Sequence, residues 1–229
     1  MGGRASETLF FDMQHFSATR PDFSSLRVAL AQVLRTYGRE RLELEFRLGQ
    51  ATAGRFVPGV SEAGWRRLKR KLDAGQLGPG VVVTDTRELI SDDGSGAKYV
   101  LTGPEEGYWM HKKRLHDSDA DTPATWCCRA SLSLEEIDPP ERQRAAPAAH
   151  RFERHKQRWS YPYKCWSIDL TRVVSNLPHQ LDNDGVSYEV EIELRDTSEL
   201  FVRPLEDVLQ WGWCLVKDAS DMATPRATS

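Results

Sequence analysis

Cysteine is scarce in this sequence of 229 residues, which contains four cysteines. Cys127 and Cys128 are adjacent, whereas Cys165 and Cys214 are isolated, so they have neither the spacing of a zinc site nor the pattern of a disulfide framework. Long apolar runs are absent too: no segment approaches the length of a membrane-spanning helix, and the N-terminus lacks the apolar core of a signal peptide. We therefore expect a soluble protein from a reducing, intracellular compartment.

Two phosphate-handling motifs are also missing. The sequence contains no Gly-Lys-Ser/Thr phosphate-binding loop and no cysteine-based phosphatase loop, which argues against both of those protein classes. The net charge of −3 is small, but it is the difference between 31 basic and 34 acidic residues, so local patches can be strongly charged. With 39% hydrophobic residues the chain can bury one sizeable core. We expect a single domain over residues 21–217, a flexible segment over 1–20 and a disordered tail over 218–229.

Glutamates alternate with apolar residues in two runs, Glu43-Leu44-Glu45 and Glu189-Val190-Glu191-Ile192-Glu193. On a strand, alternate side chains share a face, so each run directs its carboxylates to one side and its apolar residues to the other. Carboxylates roughly 6.5 Å apart on a strand repel by about 2 to 3 kcal/mol at an effective dielectric of about 20. Either solvent or a cation must offset this repulsion.

Other strands carry the same alternation with positive charge. Lys112 and Arg114 share a face, and so do Lys156 and Arg158. One further polar stripe runs through Arg129, Ser131, Ser133 and Glu135. Apolar or bulky residues occupy the opposite face of each stripe. The strands are therefore predicted to have one charged face and one apolar face.

Around these stripes the sequence predicts mostly antiparallel β-structure with three helices. The helices fall near 26–37, 61–75 and 204–216, and the strands near 81–90, 98–102, 108–115, 125–136, 156–161, 165–173 and 186–195, after a first strand that contains Glu43. The apolar face of a closed sheet usually turns inward. The alternative is a wider barrel with a polar lumen, its apolar exterior covered by the helices. The amphipathic helices favour this alternative, and a lumen of glutamates, lysines and arginines suits a polyanion bound with a divalent cation.

Six motifs of alternating character follow one another along the chain: Glu43-Leu-Glu45-Phe-Arg47, Lys112-Lys-Arg114, Ser131-Leu-Ser133-Leu-Glu135, Lys156-Gln-Arg158-Trp-Ser160-Tyr161, Ile168-Asp169-Leu170-Thr171 and Tyr188-Glu189-Val-Glu191-Ile-Glu193. In these motifs and their order the sequence resembles the fungal and protozoan mRNA-capping RNA 5′-triphosphatases, a family of triphosphate tunnel metalloenzymes. The resemblance spans residues 40–195.

The resemblance implies an α+β fold: a closed, eight-stranded antiparallel β-barrel with a charged lumen, covered outside by about three helices. It implies metal-dependent removal of the γ-phosphate from RNA with a 5′-triphosphate end, the first step of mRNA cap formation, with nucleoside triphosphates as further candidate substrates. Mg²⁺ or Mn²⁺ would be the cofactor, the nucleus the location and an mRNA guanylyltransferase a candidate partner.

Residue roles follow from the same resemblance. The implied metal ligands are Glu43, Glu45, Glu191 and Glu193, with Glu189 in the same stripe. Phosphate oxygens would be bound by Lys112, Arg114, Lys156 and Arg158, joined by Arg47, Arg129 and Lys98. Glu135 would orient or deprotonate the attacking water, and Asp169 and Thr171 would support the substrate or the water.

One departure and two rival hypotheses remain. Two residues before Asp169 the family commonly has arginine, whereas this chain has Ser167, so one phosphate contact is lost or is supplied by a neighbour such as Lys164. One rival is a tunnel enzyme that acts on inorganic triphosphate or thiamine triphosphate. The other is a noncatalytic RNA-binding β-barrel that uses arginines and aromatic residues on its outside.

Overall fold

The computed structural model describes residues 21–75, 80–91, 97–104, 106–122, 124–143, 145–147, 150–176 and 185–225. The predicted flexible segment over 1–20 lies outside these residues. The helices are α1 (Ser24–Tyr37), α2 (Glu62–Gly75), α3 (Glu199–Val202) and α4 (Leu205–Ala223), with a 3-10 turn at Pro140–Arg142. The strands are β1 (Leu42–Thr52), β2 (Arg55–Pro58), β3 (Val82–Ile90), β4 (Lys98–Leu101), β5 (Gly107–Asp121), β6 (Cys127–Ile137), β7 (Phe152–Tyr163), β8 (Trp166–Ser175) and β9 (Val186–Leu194).

Eight strands form a closed ring in the order β1-β6-β5-β4-β3-β7-β8-β9, because β9 pairs back with β1. All eight pairings around the ring are antiparallel. β2 stands outside the ring as the hairpin partner of β1. The predicted α+β fold, an eight-stranded antiparallel barrel with helices outside it, is confirmed.

The apolar faces of the strands point outward and are covered by the helices. Phe46 of β1, Ile168 of β8 and Ile192 of β9 have no exposed surface. α4 packs against β1 and β9, and a Cβ added at its Gly212 would lie 2.6 Å from the Phe46 ring and 2.7 Å from the Trp166 ring. Such close packing removes apolar surface from water without using the barrel interior. Of the two predicted arrangements, the one with an apolar exterior and a polar lumen is therefore correct.

The end of α4 differs from the prediction. The helix continues past Val216 to Ala223, so the predicted disordered tail is wrong for residues 218–223. Ala219 and Ala223 are fully buried, and the hydroxyl of the buried Ser220 is 2.9 Å from that of Thr122. Small residues that pack closely against α2 give no apolar periodicity, which is why sequence patterning misses this segment.

Two short elements were not predicted, the strand β2 and the helix α3. Both have four residues, too few to give a periodic pattern. In the described residues, none of the helices is long and apolar enough to cross a membrane.

Candidate active site

The charged faces of the strands line the inside of the barrel. Contacts between side chains of strands that are not neighbours in the ring show this orientation. Lys112 on β5 lies 3.6 Å from Glu45 on β1, beyond the intervening β6. Arg158 on β7 lies 2.8 Å from Glu191 on β9, beyond β8. With the strand register, these contacts place all the predicted site residues on the lumen side: Glu43, Glu45 and Arg47 on β1, Lys98 on β4, Lys112 and Arg114 on β5, Arg129 and Glu135 on β6, Lys156 and Arg158 on β7, Asp169 and Thr171 on β8, and Glu189, Glu191 and Glu193 on β9.

Four glutamates of β1 and β9 form a patch on the lumen wall, which we call the glutamate patch. Glu45 lies directly opposite Glu193 in the strand register, and Glu43 and Glu191 are each two residues away along their strands. Directly opposed residues have Cβ atoms about 4.5–5.5 Å apart, so like charges there repel. Glu45 is 1% exposed and Glu191 is 3% exposed, so water screens this repulsion poorly.

The carboxyl groups of the glutamate patch differ in their tendency to ionise. Burial raises the pKa of Glu45, and the Glu191 carboxylate raises it further, against the opposing effect of Arg47. Burial also raises the pKa of Glu193 to about 8. For Glu191 burial opposes ionisation, but the guanidiniums of Arg47 and Arg158 outweigh it and hold the pKa well below its usual value. The patch therefore combines one firmly ionised carboxylate with two whose ionisation is held back.

Lys112 links the glutamate patch to the predicted water-orienting residue. Its ammonium contacts Glu43 and lies 3.6 Å from Glu45 and 3.5 Å from Glu135. Burial disfavours the charged ammonium, but Glu45 and Glu43 outweigh burial and raise the pKa of Lys112 above its usual range. Lys112 is therefore a fixed positive charge between the patch and Glu135.

Arg158 is held by residues of two neighbouring strands. Its Nε donates to the Thr171 hydroxyl at 3.1 Å, and its terminal nitrogens donate to Asp169 at 3.1 Å and to Glu191 at 2.8 Å. Arg47 approaches the same Glu191 carboxylate at 3.1 Å. Asp169 and Thr171, which were predicted to support the substrate or the water, thus lie where they orient Arg158.

A second ionic cluster surrounds Glu88 of β3, which the sequence analysis missed. The buried Glu88 carboxylate accepts from Lys98 at 2.8 Å and from Lys156 at 3.0 Å, and Arg154 lies 3.7 Å away. Burial opposes ionisation of Glu88, but Lys156, Lys98 and Arg154 outweigh it and lower the pKa of Glu88 to about 2. Arg154 also donates to Glu189 at 2.9 Å, so Glu189 is engaged by this cluster.

Arg154 could have been found from the sequence, because Arg154, Lys156 and Arg158 continue one period-two basic stripe. Glu88 gives a weaker signal: it is a single glutamate that alternates with Thr86 and Thr84. The contacts of Glu88 come from β4 and β7, which local pattern reading cannot pair with β3.

A break in alternation hides two further lumen residues on β5. A register shift between Arg114 and His116 moves the following odd-numbered residues to the lumen side, where Asp117 lies opposite Ser131. Asp117 accepts from the Ser131 hydroxyl at 2.8 Å, and Asp119 binds the Arg129 guanidinium through two hydrogen bonds of 2.7 and 2.8 Å. Strict period-two reading places both aspartates on the wrong face.

A residue that was not predicted, Arg195, brings a positive charge to the side chain of Ser167. Arg195, just after β9, donates to the Ser167 hydroxyl at 3.0 Å and to Asp169 at 2.5 Å. Lys164, named above as one example of a neighbour that supplies this contact, does not lie at this place. Lys164 lies in the turn between β7 and β8, where its ammonium stacks 4.9 Å from the centre of the Trp211 ring. That cation–π contact directs the Lys164 side chain away from Ser167.

The donor set of the glutamate patch suits a hard divalent cation, which binds carboxylate oxygens. Among the residues that the structure describes, three carboxylate oxygens are buried without a partner in hydrogen-bond geometry: Oε2 of Glu43, Oε1 of Glu45 and Oδ1 of Asp169. The first two have ion-pair contacts with Lys112 and Arg47. No group of three His, Cys, Asp or Glu side chains within the described ranges has metal-site geometry as it stands. The donor types therefore suit an ion, and in this structure Lys112 and Arg47 occupy two of these oxygens.

Comparison with known proteins identifies the family. The model of the family "mRNA capping enzyme, beta chain" matches residues 101–203. A 5′ RNA triphosphatase of Paramecium bursaria Chlorella virus 1 is 33% identical over 193 residues, which are 84% of this chain and 95% of the viral protein. The chain belongs to the mRNA-capping RNA triphosphatases of the tunnel fold. The resemblance seen in the sequence is confirmed.

Solved structures agree with this RNA triphosphatase fold. The S. pombe RNA triphosphatase Pct1 superimposes with a TM-score of 0.72 at 18% identity, covering 88% of this chain and 93% of the Pct1 chain. The Mimivirus capping enzyme triphosphatase gives a TM-score of 0.56 at 16% identity, covering 84% of this chain and 98% of the viral chain. At these identities the likeness concerns the fold.

Proposed function

We propose that this RNA triphosphatase hydrolyses the γ-phosphate of RNA with a 5′-triphosphate end and leaves a 5′-diphosphate end, the first step of cap formation. The observation that carries this proposal is the lumen itself, where the glutamate patch lies beside Lys112, Arg47 and Arg158. A triphosphate needs cations along its length and a metal ion on its terminal oxygens. The lumen has the cations, and carboxylates that could hold the ion, within one closed ring of strands.

Tunnel-fold capping triphosphatases depend in general on a metal ion. In this chain we assign the ion, Mg²⁺ or Mn²⁺, to Glu43, Glu45, Glu191 and Glu193, with Glu189 as the outlying member of the stripe. Bound there, the ion would polarise a phosphate oxygen and offset negative charge in the transition state. The raised pKa values of Glu45 and Glu193 support the assignment, because a bound dication would favour the ionised form of both carboxyl groups.

The lysines and arginines of the lumen bind the triphosphate oxygens. We assign this role to Lys112, Arg114, Lys156 and Arg158, with Arg47, Arg129 and Lys98 as further contacts. Arginine fits two phosphate oxygens at once, whereas lysine acts as a point charge. All these cations have carboxylate partners in the lumen, and a triphosphate would compete for them. When they bind the triphosphate, these cations stabilise the negative charge that moves toward the leaving diphosphate.

Glu135 is the residue we assign to the attacking water. Its carboxylate is partly exposed to the lumen and lies 3.5 Å from Lys112. A carboxylate there can accept a hydrogen bond from water and orient the water for in-line attack, with the Lys112 ammonium fixing its position. Glu136, the next residue, lies on the opposite face and pairs with Arg41. It is therefore a matched control for Glu135.

The test measures labelled γ-phosphate released from triphosphate-ended RNA with Mg²⁺, with Mn²⁺ and with a chelator. We expect metal-dependent release that falls by at least about 100-fold in Glu135→Gln and stays unchanged in Glu136→Gln. Equal rates in the two variants would remove Glu135 from the mechanism. Release from inorganic triphosphate but not from RNA would move the chain to the polyphosphate hypothesis. RNA binding without any release would favour the noncatalytic barrel.

A diphosphate RNA end is the acceptor for guanylyl transfer, so we further propose that an mRNA guanylyltransferase acts next on the product and that both work in the nucleus. Mixing this protein with a guanylyltransferase that lacks its own triphosphatase activity should convert triphosphate-ended RNA to capped RNA. Capping at the same low level with and without this protein would contradict the proposed order.

A further inference from the structure

Arg195, like Arg154, is a lumen arginine that the sequence analysis missed, and it is bound by three groups. Its Nε donates to Ser167 at 3.0 Å, one terminal nitrogen donates to Asp169 at 2.5 Å and the other lies 3.0 Å from Glu193. Glu193 belongs to the glutamate patch, and Asp169 orients Arg158. Arg195 therefore connects the proposed metal ligands to the proposed phosphate-binding arginine.

Arg195 and Arg158 bind the same oxygen, Oδ2 of Asp169. Their guanidiniums consequently lie side by side, yet they differ in exposure. The side chain of Arg195 is 45% exposed and that of Arg158 is 23% exposed. A guanidinium has five N–H groups, so contacts with three acceptors do not saturate it. Arg195 can bind an incoming anion without releasing Asp169.

The small side chain of Ser167 leaves room in the lumen for Arg195, which follows β9. Ser167 lies opposite Glu193 in the register and is buried with a small side chain, so the Arg195 guanidinium fits above it. The backbone N–H groups of Arg195 and Asp196 both donate to the Cys165 carbonyl, at 2.8 and 3.1 Å, which fixes the chain where β9 ends. The position of Arg195 is thus determined by backbone contacts as well as by its side-chain partners.

We propose that Arg195 is a substrate-contacting residue that binds a phosphate oxygen of the RNA triphosphate beside Arg158. Arg195, at the end of β9, thus supplies the phosphate contact that the uncharged Ser167 on β8 cannot make. This inference rests on the proposed function. The proposal has a testable consequence: an arginine at position 167 on β8 should be able to replace Arg195 at the end of β9. Removing the Arg195 side chain opens space at Ser167, so an arginine introduced there can reach the same place.

The experiment compares wild-type protein with Arg195→Ala, Arg195→Lys, the double variant Ser167→Arg with Arg195→Ala, and the control Arg203→Ala. Arg203 is exposed, pairs with Glu199 and stacks on Trp211 outside the lumen. Rates of γ-phosphate release are measured against triphosphate-RNA concentration at saturating metal, together with the metal concentration for half-maximal rate and the melting temperature.

We expect Arg195→Ala to raise KM by about 10- to 100-fold, as loss of a charged hydrogen bond does, while Arg203→Ala leaves KM unchanged. Arg195→Lys should fall between them, because lysine keeps the charge but loses the planar fork. The double variant should recover most of the lost affinity.

Three results would overturn the proposal. The first is a KM within threefold of wild type in Arg195→Ala. The second is a defect confined to the metal requirement, which would make Arg195 a partner of Glu193 alone. The third is a double variant that folds, as judged by its melting temperature, yet stays as defective as Arg195→Ala. In each case active wild-type protein would leave the proposed function intact.

Discussion

Replacing Glu88 by glutamine tests how much one buried carboxylate of the lumen contributes to folding stability. Glu88 is 4% exposed and forms ion pairs with Lys98, Lys156 and Arg154. The Glu88→Gln side chain has nearly the same shape but no charge, so three cations would remain in the lumen with less compensation. Buried charges that lose a partner destabilise strongly.

The size of the effect follows from the pKa of Glu88, which the three cations lower, against burial, from 4.5 to about 2. A pKa that is lower by this amount in the folded protein corresponds to about 3 kcal/mol of folding free energy. Because the folded-state pKa is the lower one, this stability is fully present above pH 4.5 and is lost as the pH falls toward 2. Near pH 3 about 1.4 kcal/mol should remain.

Urea unfolding followed by circular dichroism at several pH values between 7 and 3 measures this difference. We expect Glu88→Gln to be less stable than wild type by about 3 kcal/mol at pH 7 and by about half of that or less at pH 3. Glu153→Gln, which removes the partly exposed ion pairs of Glu153 with Arg87 and His150, should cost under about 1 kcal/mol at either pH. A Glu88→Gln penalty that is absent at pH 7, or that is equal at both pH values, would refute the reasoning.

Three further predictions concern the lumen and its outer packing. Glu43→Ala and Glu193→Ala should each abolish phosphate release while circular dichroism shows a folded protein; unfolding of both variants would contradict a lumen role for these residues. Arg158→Ala should slow turnover of triphosphate RNA and of inorganic triphosphate alike, and a defect confined to RNA would place Arg158 outside the triphosphate site. Gly212→Ala should lower stability by about 1 to 3 kcal/mol in thermal melts, because the new Cβ would lie 2.6 Å from the Phe46 ring; an unchanged melting temperature would disprove that close contact.

The period-two alternation was enough to predict strands with one charged and one apolar face, because a residue's face on a strand depends only on its position along that strand. Leu44 and Glu45, for example, lie on opposite sides of the barrel wall as the sequence indicates. The predicted amphipathic helices then favoured the arrangement with a charged lumen, because they could cover the apolar faces on the outside.

The rest depends on partners that are distant in the sequence. Glu88 is defined by cations from β4 and β7, and Arg195 by Ser167 and Asp169 on β8. Asp117 was missed because a bulge reverses the alternation within β5. Each of these positions follows from strand pairing or backbone irregularity, neither of which is encoded in local periodicity.

The most direct test of the account is release of labelled γ-phosphate from triphosphate-ended RNA by wild-type and Glu191→Gln protein, each with Mg²⁺, with Mn²⁺ and with a chelator. Glu191 is the firmly ionised member of the glutamate patch and is bound by both Arg47 and Arg158. The account predicts metal-dependent release by the wild type and loss of release in a Glu191→Gln protein that melts cooperatively. Release that persists with chelator, or that survives in Glu191→Gln, would contradict it.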